Sequence, residues 1–380
     1  MTRPQIARDT ARALRAADLS RYPALLGFDG FVDDIIDVVA ERPDAGRYEQ
    51  YERIPTLADF AARIAATAGH GTNAELVVKR QKLGGGGPIM GNALAVLGVP
   101  VTCLGALGDG AGGAGPAGGI HKVFQDFASR ATLIPLADAA RTHALEFADG
   151  KLMLGELASL SQLTFARLLE VVGREKLLAL CESAALLGLF NWTMLSAATA
   201  LWRSLAVEVV PRLRRAPRIF VDLSDPKKRS AADLAEAMGV LTQFNALGAP
   251  VTLGLNEAEA RQVAAVSGGQ GEFATAVQLA GHIRATLRLD TVVVHLTACA
   301  GAARAGGTAE FAGPYVRNPA ILTGGGDHFN AGFALGQLLG LPLENGLCMG
   351  TATSGYYVRH AASPTADELA GFLDALPNPE

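Results

Sequence analysis

The sequence predicts an α/β fold in which helices flank a mostly parallel central sheet, a three-layer sandwich with a small β lid. The first observation is that six short apolar runs recur, most of them followed by an Ala/Leu-rich helical segment: ALLGF, VTCLGAL, AALLGLF, RIFVDL, PVTLGL and TVVVHL. This alternation is typical of parallel strands with helices on both faces. The second observation is that two segments interrupt it. Because ligands of such sheets bind beyond the carboxyl ends of the strands, the polar residues after each run are the functional candidates.

The composition predicts one compact domain, residues 1–380, with a small-molecule partner. Of the 380 residues, 49% are hydrophobic and 18% are charged, which provides ample material for a buried core. The formal net charge is -4 and no basic run exceeds a few residues, so we expect no nucleic-acid binding. The four cysteines lie far apart without a CxxC pair, which argues against disulfides and a zinc site.

The N-terminal segment MTRPQIARDTARALRAADLS carries charges throughout and no apolar core, so we expect a cytoplasmic protein without a secretory signal. Residues 183–202 contain no charge and approach the ~20-residue length of a membrane-spanning helix. Asn191, Thr193 and several hydroxyl residues interrupt this stretch, which favours a strand, the loop NWT and a helix from near Met194. We therefore expect no membrane interaction.

The lid is predicted from insertions at about 31–83 and 141–157. The first contains a helix, Leu57 to Ala68, and the strand-like AELVVKRQKL, and the second predicts a hairpin that turns at Asp149-Gly150. Exposed edges of such a lid are often covered by a second subunit, so a homodimer through the lid is a hypothesis. The Gly/Ala-rich run at 108–119 predicts a loop.

The segment TGGGD, Thr323 to Asp327, predicts an anion-binding turn at the start of a helix. After it, apolar residues such as Phe329 and Phe333 keep helical spacing. Glycines allow backbone N–H groups to converge on an anion, and the helix N-terminus favours negative charge. Asp327 would lie beside a transferring phosphoryl group and accept the proton of an attacking hydroxyl. The alternative is a Gly-rich turn in which Asp327 is an ordinary N-cap.

The same run, TGGGDHFNAGFALGQLLGLPLENGL, resembles the C-terminal signature of the PfkB (ribokinase-like) carbohydrate kinases. GFDGFVDDIID resembles the first strand of that family with its substrate-binding aspartate, LGGGGPIMGNALAVLGVPVTCLGALGDG resembles its first signature, and NEAE matches its N-x-x-E. The order and spacing of four motifs make the resemblance specific. It implies a ribokinase-like, Rossmann-like three-layer fold and ATP-dependent phosphorylation of a hydroxyl on a sugar or sugar-like molecule.

The resemblance also implies roles for individual residues. Asp327 is similar to the catalytic base, and Gly324, Gly325 and Gly326 are similar to the anion hole. Asn256 and Glu259 would hold a network of Mg²⁺ and phosphate through water, with Glu259 as the indirect metal ligand. Without the resemblance, NEAE at a helix start would most often be a capping pattern.

The nucleotide-side strand departs from the pattern of the family. It reads VVVHLTACAGAA, so Thr297 and Gly301 replace the familiar nucleotide-binding groups, and His295 is interpreted as a buried histidine. Ile321 stands where many relatives carry an acidic residue associated with a monovalent cation, so potassium activation is not implied. Ile89 and Met90 occupy the region where relatives commonly have an asparagine, so the usual sugar specificity does not transfer.

The acceptor site is predicted from residues that follow strands. Carboxylates accept hydrogen bonds from sugar hydroxyls, and glycines let a polyol approach the backbone. The substrate-binding candidates are Asp29, Asp33, Gly85, Gly86, Gly87 and Asn191. The alternatives are a helix cap or surface charge for each aspartate and a tight turn for the glycines. For Asp222 and Asp225, the sequence leaves open whether they belong to a functional segment or to a structural turn at Pro226.

Three functions remain as hypotheses. The first is the ATP-dependent carbohydrate kinase. The second is a nucleoside kinase of the same superfamily, because Asn191 and Trp192 offer a stacking surface for a base. The third is a non-catalytic sugar or nucleotide sensor, which would need neither Asp327 nor N-x-x-E. A NAD-binding enzyme is excluded, since no G-x-G-x-x-G opens the first βα unit.

Overall fold

The computed structural model describes residues 1–44, 46–110, 119–269 and 273–380. The helices are α1 (Arg3–Ala16), α2 (Leu57–Ala65), α3 (Gly86–Leu97), α4 (Gln125–Ala128), α5 (Phe165–Val172), α6 (Arg174–Ser183), α7 (Ala198–Ser204), α8 (Ala231–Ala246), α9 (Glu257–Val266), α10 (Ala276–Leu287), α11 (Gly325–Leu338), α12 (Leu343–His360) and α13 (Ala366–Asp374). The strands are β1 (Ala24–Phe28), β2 (Phe31–Glu41), β3 (Glu52–Arg53), β4 (Leu76–Gly84), β5 (Val101–Gly108), β6 (Thr132–Asp138), β7 (Ala140–Phe147), β8 (Gly150–Glu156), β9 (Leu186–Leu189), β10 (Arg218–Asp222), β11 (Val251–Asn256), β12 (Thr291–His295), β13 (Cys299–Arg304) and β14 (Gly307–Ala312).

The central sheet has nine strands in the order β14-β13-β12-β11-β10-β9-β1-β5-β6. The strands from β12 to β6 in this order are parallel, and β13 and β14 add an antiparallel edge. All six predicted apolar runs form strands of the parallel part. The edge strands β6, β13 and β14 were not among the predicted strands.

Helices cover both faces of this sheet, as the buried parallel strands require. One apolar core lies between the sheet and the layer α5 to α10, and a second lies between the sheet and the layer α1, α3 and α11 to α13. The prediction of a mostly parallel three-layer α/β fold is therefore confirmed.

A second sheet of five strands lies in the two predicted insertions. It has the order β3-β2-β7-β8, and β4 also pairs with β2. The hairpin of β7 and β8 turns next to Asp149-Gly150, and α2 ends at Ala65, three residues before its predicted end at Ala68. A small apolar core stabilises this sheet: Ile36, Val38, Ile54, Phe60, Leu145 and Phe147. Its function as a lid stays a prediction. Most of the Gly/Ala-rich run at 108–119 lies outside the described residues.

The uncharged stretch 183–202 divides between β9, a connecting segment and the start of α7. The helix begins at Ala198, later than the predicted start near Met194, because a short turn separates it from the NWT segment. Among the described residues, no helix is long and apolar enough to cross a membrane.

Candidate active site

Predicted polar residues collect at the carboxyl ends of the parallel strands. Asp29 follows β1, Asp222 ends β10 and Asn256 ends β11. The starts of α3 and α11 meet beside them, because a Cβ atom placed on Gly86 would lie 3.3 Å from Oδ1 of Asp327. Two glycine-rich helix starts thus converge at the edge of the sheet where ligands of α/β proteins bind.

The TGGGD turn begins α11 with a glycine cap. Gly324 occupies the N-cap position with φ 95°, a conformation that favours glycine, and Asp327 is the third residue of the helix. The alternative that Asp327 is the N-cap is therefore wrong. The N–H of Gly325 makes a long 3.3 Å hydrogen bond to the carbonyl of Leu322. The N–H groups of Gly326 and Asp327 follow in the first turn, where a helix offers no carbonyl acceptor, and the N–H of Asp327 contacts its own carboxyl group.

Asp327 lies in an acidic environment. Burial raises the pKa of its carboxyl group well above the usual 3.8, and the carboxylates of Asp222 and Asp29 raise it further. The N–H of Asp327 itself opposes this rise. A carboxylate with a raised pKa is a stronger proton acceptor once it is ionised, which is the property required of a general base.

The structure gives Asp29 a role as an internal anchor. The side chain is fully buried, and its oxygens accept hydrogen bonds from the N–H groups of Gly86 (2.8 Å) and Gly87 (2.9 Å) and from Nδ2 of Asn191 (3.1 Å). Burial raises the pKa of Asp29 to about 6, and these hydrogen bonds oppose the rise. Asp29 holds the turn at Gly85, where φ is 97°, against β1. This is the helix-cap alternative, and it leaves Asp29 no exposed surface for a sugar.

Asp33 lies on β2, opposite Lys82 of β4 and Thr142 of β7. It is 6% exposed and packs against Gly84, where a Cβ atom would lie 2.5 Å from its Oδ1. Burial raises the pKa of Asp33, while Lys82 and the Thr142 side chain lower it. Asp33 also contributes to the raised pKa of Asp327, so the two carboxyl groups share one electrostatic environment.

Asn256 and Glu259 form a capping box at the start of α9. The Asn256 side chain accepts from the N–H of Glu259 (3.0 Å), and the two Glu259 oxygens accept from the N–H groups of Asp225 (2.9 Å) and Asn256 (2.9 Å). Burial and then repulsion from Asp222 raise the pKa of Glu259 to about 7. The capping alternative for NEAE is thus realised. It creates an acidic pair from the buried Glu259 in the first turn of α9 and the partly buried Asp222 at the end of β10.

Asp222 is the second member of this acidic pair. Its oxygens accept hydrogen bonds from Nδ2 of Asn330 (2.8 Å) and from the backbone N–H of Ser224 (3.1 Å). Asn330 follows Asp327 by three residues on α11, so Asp222 links β10 to the helix that carries the predicted base. In the part of the chain that the structure describes, no group of three or more His, Cys, Asp or Glu side chains could hold a metal ion directly.

A cavity of about 970 Å³ opens beside the first turn of α11. Gly325 and Gly326 line it together with Asn256, Thr297 and His295. Burial lowers the pKa of His295 to about 4, so this histidine is a neutral part of the wall. The cavity is large enough for a small cofactor and is lined mostly by apolar atoms with a few polar groups, as ligand sites usually are.

Gly301 and Trp192 do not line this cavity, and each has a packing role instead. Gly301 lies inside β13, where a Cβ atom would meet the backbone of Val277 in α10 at 2.7 Å, so its position is required by packing between strand and helix. Trp192 is fully buried, donates its indole N–H to Thr199 (2.8 Å) and lies under Arg229. The predicted stacking surface at Asn191 and Trp192 is therefore wrong, because the tryptophan has no free face.

Four residues near the site were not sequence-based candidates: Lys82, Lys151, His328 and Tyr357. Lys82 on β4 is the register partner of Asp33 on the neighbouring strand β2. Nζ of Lys151 donates to Oγ1 of Thr323 at 2.5 Å. His328 directly follows Asp327 in the motif, and this position was a signal that sequence reasoning left unused. Tyr357 lies far along the chain on α12, and no local pattern connects it to the turn.

Comparison with known proteins identifies the family. The family described as prokaryotic ketohexokinase matches residues 5–376 of the chain. A ketohexokinase of Haloferax volcanii is 31% identical over 361 residues, which cover 92% of this chain and 91% of the relative. The family match spans nearly the whole chain, and the relative matches most of both sequences.

Solved structures of low sequence identity share the fold. A carbohydrate kinase from Agrobacterium tumefaciens has a TM-score of 0.64 at 17% identity and covers 94% of this chain and 98% of its own. The ribokinase of Arabidopsis thaliana complexed with ribose and ATP has a TM-score of 0.61 at 14% identity and covers 93% of this chain and 99% of its own. The resemblance to ribokinase-like kinases is confirmed: the chain belongs to the prokaryotic ketohexokinase family and is a carbohydrate kinase.

Proposed function

We propose that this protein transfers the terminal phosphoryl group of ATP to a hydroxyl of a ketohexose. The observation that carries the proposal is the position of Asp327. On one side, its carboxyl group lies next to Gly86 at the start of α3. On the other side, Gly325 and Gly326 of the same helix turn line the large cavity. A base at this junction would lie between an acceptor hydroxyl near Gly86 and a donor phosphate at the cavity. The name of the Haloferax relative supports a ketohexose as the acceptor.

In the proposed reaction, the acceptor hydroxyl oxygen attacks the terminal phosphorus of ATP while its proton passes to the Asp327 carboxylate. The bond between phosphorus and the bridging oxygen breaks, and ADP leaves with the electron pair. Negative charge on the phosphoryl oxygens is stabilised by the N–H groups of Gly326 and Asp327 and by the positive end of α11. Proton removal and charge stabilisation thus come from one helix turn.

Asn256 and Thr297 are proposed to contact the nucleotide, since both line the cavity. On the acceptor side, Asp33 is the proposed ligand of the sugar hydroxyls. Asp29 and Asn191 are proposed to act indirectly: Asp29 holds the backbone of Gly86 and Gly87, and Asn191 holds Asp29. The sugar would then approach the glycine backbone from the side opposite Asp29.

The acidic pair Asp222 and Glu259 fits an indirectly held Mg²⁺. Each Glu259 oxygen accepts one backbone N–H and keeps a lone pair for a bound water, and the repulsion between the two carboxyl groups favours a cation nearby. Mg²⁺ usually keeps several waters and few protein ligands, so two carboxyl groups can hold it through bound water. When bound, the ion neutralises phosphate charge during transfer.

An acceptor screen tests the proposal. Purified protein with ATP and Mg²⁺ is offered ketohexoses, aldohexoses, pentoses, keto-acid sugars and nucleosides, and both ADP and the phosphorylated product are quantified. We expect a ketohexose to have the highest kcat/KM. Preferred phosphorylation of nucleosides would instead favour the nucleoside kinase hypothesis. If no acceptor raises ADP formation above the rate measured without acceptor, the sensor hypothesis is favoured.

We also propose a homodimer through the five-stranded sheet. Its edge strands β4 and β8 expose apolar side chains, which include Val78 (50%) and Leu154 (47%). Unpaired strand edges with exposed apolar residues are usually covered in native proteins. A second copy of the same sheet provides a self-complementary cover.

A further inference from the structure

The proposed anion-binding turn carries two carbonyl groups that point to specific side-chain donors. The hydroxyl of Tyr357 donates to the carbonyl of Thr323 at 3.0 Å, and Nδ1 of His328 lies 2.7 Å from the carbonyl of Gly324. The two aromatic rings stack, with centroids 3.6 Å apart and an angle of 13° between the planes. Tyr357 on α12 and His328 on α11 therefore clamp two successive carbonyls of the turn from one side.

We propose that Tyr357 and His328 are positioning residues that orient the TGGGD turn for phosphoryl transfer. By holding the carbonyls of Thr323 and Gly324, they fix the two peptide groups that precede Gly324 and Gly325 and so set the direction in which α11 starts. The N–H groups of Gly326 and Asp327, which follow in the first turn, are thereby oriented towards the transferring phosphate. This inference rests on the proposed function of the turn, and it assigns to two residues outside the glycine-aspartate motif an effect on the rate that is exerted through the turn.

The protonation state of His328 follows from its partners. A carbonyl oxygen only accepts hydrogen bonds, so Nδ1 carries the proton, and Nε2 accepts from the hydroxyl of Ser363 at 2.8 Å. Burial lowers the pKa of His328 to about 4, so the ring remains neutral near pH 7. The Gly324 carbonyl also accepts the backbone N–H of His328 at 3.1 Å, which completes both of its acceptor positions.

Tyr357 is held in the donor form. Burial, followed by the negative charge of Asp327, raises the pKa of Tyr357 to about 12. The ring also restricts the turn sterically, because a Cβ atom on Gly324 would lie 3.0 Å from the Tyr357 hydroxyl. While the Thr323 carbonyl accepts a hydrogen bond from Tyr357, its peptide plane cannot rotate that carbonyl towards the phosphate, where it would repel the phosphoryl oxygens.

Single substitutions separate positioning from packing. Tyr357→Phe removes one hydroxyl, His328→Phe keeps a ring for stacking but removes the donor, and His328→Asn restores a donor near the position of Nδ1. We expect Tyr357→Phe and His328→Phe each to lower kcat about tenfold with KM values nearly unchanged, which corresponds to the loss of about one hydrogen bond in the transition state. His328→Asn should recover most of the lost kcat.

The chain provides a matched control pair. Tyr356 and His360 also lie on α12, their rings stack, and Nδ1 of His360 lies 2.8 Å from the carbonyl of Tyr356, yet neither touches the turn. Tyr356→Phe and His360→Phe should keep the wild-type kcat. Thermal unfolding of every variant, with assays well below each midpoint, removes differences that arise from stability alone.

Asp327→Asn, assayed in parallel, distinguishes failure of this inference from failure of the proposed function. If Asp327→Asn retains turnover, the assignment of the turn itself is wrong. If Asp327→Asn loses turnover while folded Tyr357→Phe and His328→Phe keep the wild-type kcat, or change only KM, the positioning role is wrong. Equal kcat values for His328→Asn and His328→Phe would contradict the role of the Nδ1 donor.

Discussion

Acidic side chains lie close together near the start of α11, and burial raises the pKa of each of them. The pKa values of Asp29, Asp222, Glu259 and Asp327 are all raised, with burial as the largest cause. Raised pKa values of several groups at one edge of a sheet are typical of functional sites. The gathering of these carboxyl groups is consistent with the proposed roles of Asp327 as a base and of Asp222 and Glu259 beside a cation.

The first residue-scale prediction concerns pH. A general base acts as the carboxylate, and the pKa of Asp327 in the folded protein lies well above 3.8, so the proposed role predicts that activity is lost as the pH falls through this raised value. The acidic limb of kcat/KM should therefore lie clearly above pH 3.8. A kcat/KM profile in buffers of constant ionic strength checks this. An acidic limb at or below the ordinary value would contradict the electrostatic account of Asp327.

The second residue-scale prediction concerns Trp192. Its buried indole N–H donates to Thr199, which is itself only 6% exposed. Thr199→Val leaves this donor without an acceptor, so the free energy of unfolding should fall by about 1–3 kcal/mol. Thr199→Ser keeps the hydroxyl and serves as the control, with a smaller loss. Chemical denaturation of both variants measures the difference, and equal losses would contradict a role for the hydrogen bond.

At the residue scale, sequence reasoning found the motif residues better than their contacts. Asp327 and the glycines before it could be recognised because their order in the chain carries the pattern. The burial of Asp29 and Trp192 could not be recognised, since it depends on Gly86, Asn191 and Arg229, which approach only in the folded chain. The predicted stacking surface at Trp192 is accordingly the part of the site that the structure contradicts.

At the scale of elements, α11 and α12 approach closely through glycines. A Cβ atom on Gly336 would lie 2.8 Å from Cα of Gly346, and one on Gly332 would lie 2.4 Å from Oγ1 of Thr353. Because α11 carries Asp327 and α12 carries Tyr357, this close packing sets the distance between the predicted base and its proposed support.

We therefore predict opposite effects for two helical Gly→Ala substitutions. Gly336→Ala places a methyl group against the Gly346 backbone and should lower the free energy of unfolding by about 1–3 kcal/mol. Gly371→Ala in α13 has open space around the new methyl group and should raise it by up to about 1 kcal/mol. Denaturant titrations compare the two variants. Stabilisation by Gly336→Ala would contradict the close helix contact.

The strands differ in how clearly a local sequence pattern predicts them. The six parallel core strands are runs of buried apolar residues, so they could be located from sequence. Strand β13, CAGAAR, lacks β-branched and aromatic residues, and β6, TLIPLAD, contains Pro135. Their formation depends on pairing at the edges of an existing sheet, which a local pattern does not reveal.

At the scale of the whole molecule, the nine-stranded sheet and the five-stranded sheet both contribute to the site. The first positions Asp222, Asn256 and the start of α11, and the second positions Asp33. Lys151 of β8 connects the two parts, because its ammonium group donates to the side chain of Thr323 in the TGGGD turn. The smaller sheet thus contacts the site on one face and exposes apolar side chains at its edges.

The proposed homodimer yields a prediction at this scale. Val78→Lys adds a charge to the exposed edge strand β4 and should convert the dimer to a monomer. Val207 lies outside the five-stranded sheet and is about as exposed as Val78, at 54% compared with 50%. The variant Val207→Lys should therefore remain dimeric. Light scattering and sedimentation measure the mass of each. A monomeric wild-type protein would contradict the proposal, and so would dissociation by both substitutions.

The central claim, that Asp327 is the base for phosphoryl transfer, is tested most directly by single-turnover transfer from ATP to the preferred ketohexose. The comparison uses Asp327→Asn and, as the control, Asp367→Asn in the exposed first turn of α13. We expect Asp327→Asn to lower the transfer rate by about 10²–10⁴-fold. The affinities for sugar and nucleotide, measured separately by calorimetry, should change little, and Asp367→Asn should match the wild-type protein. A transfer rate for Asp327→Asn close to that of the wild-type protein would contradict the account.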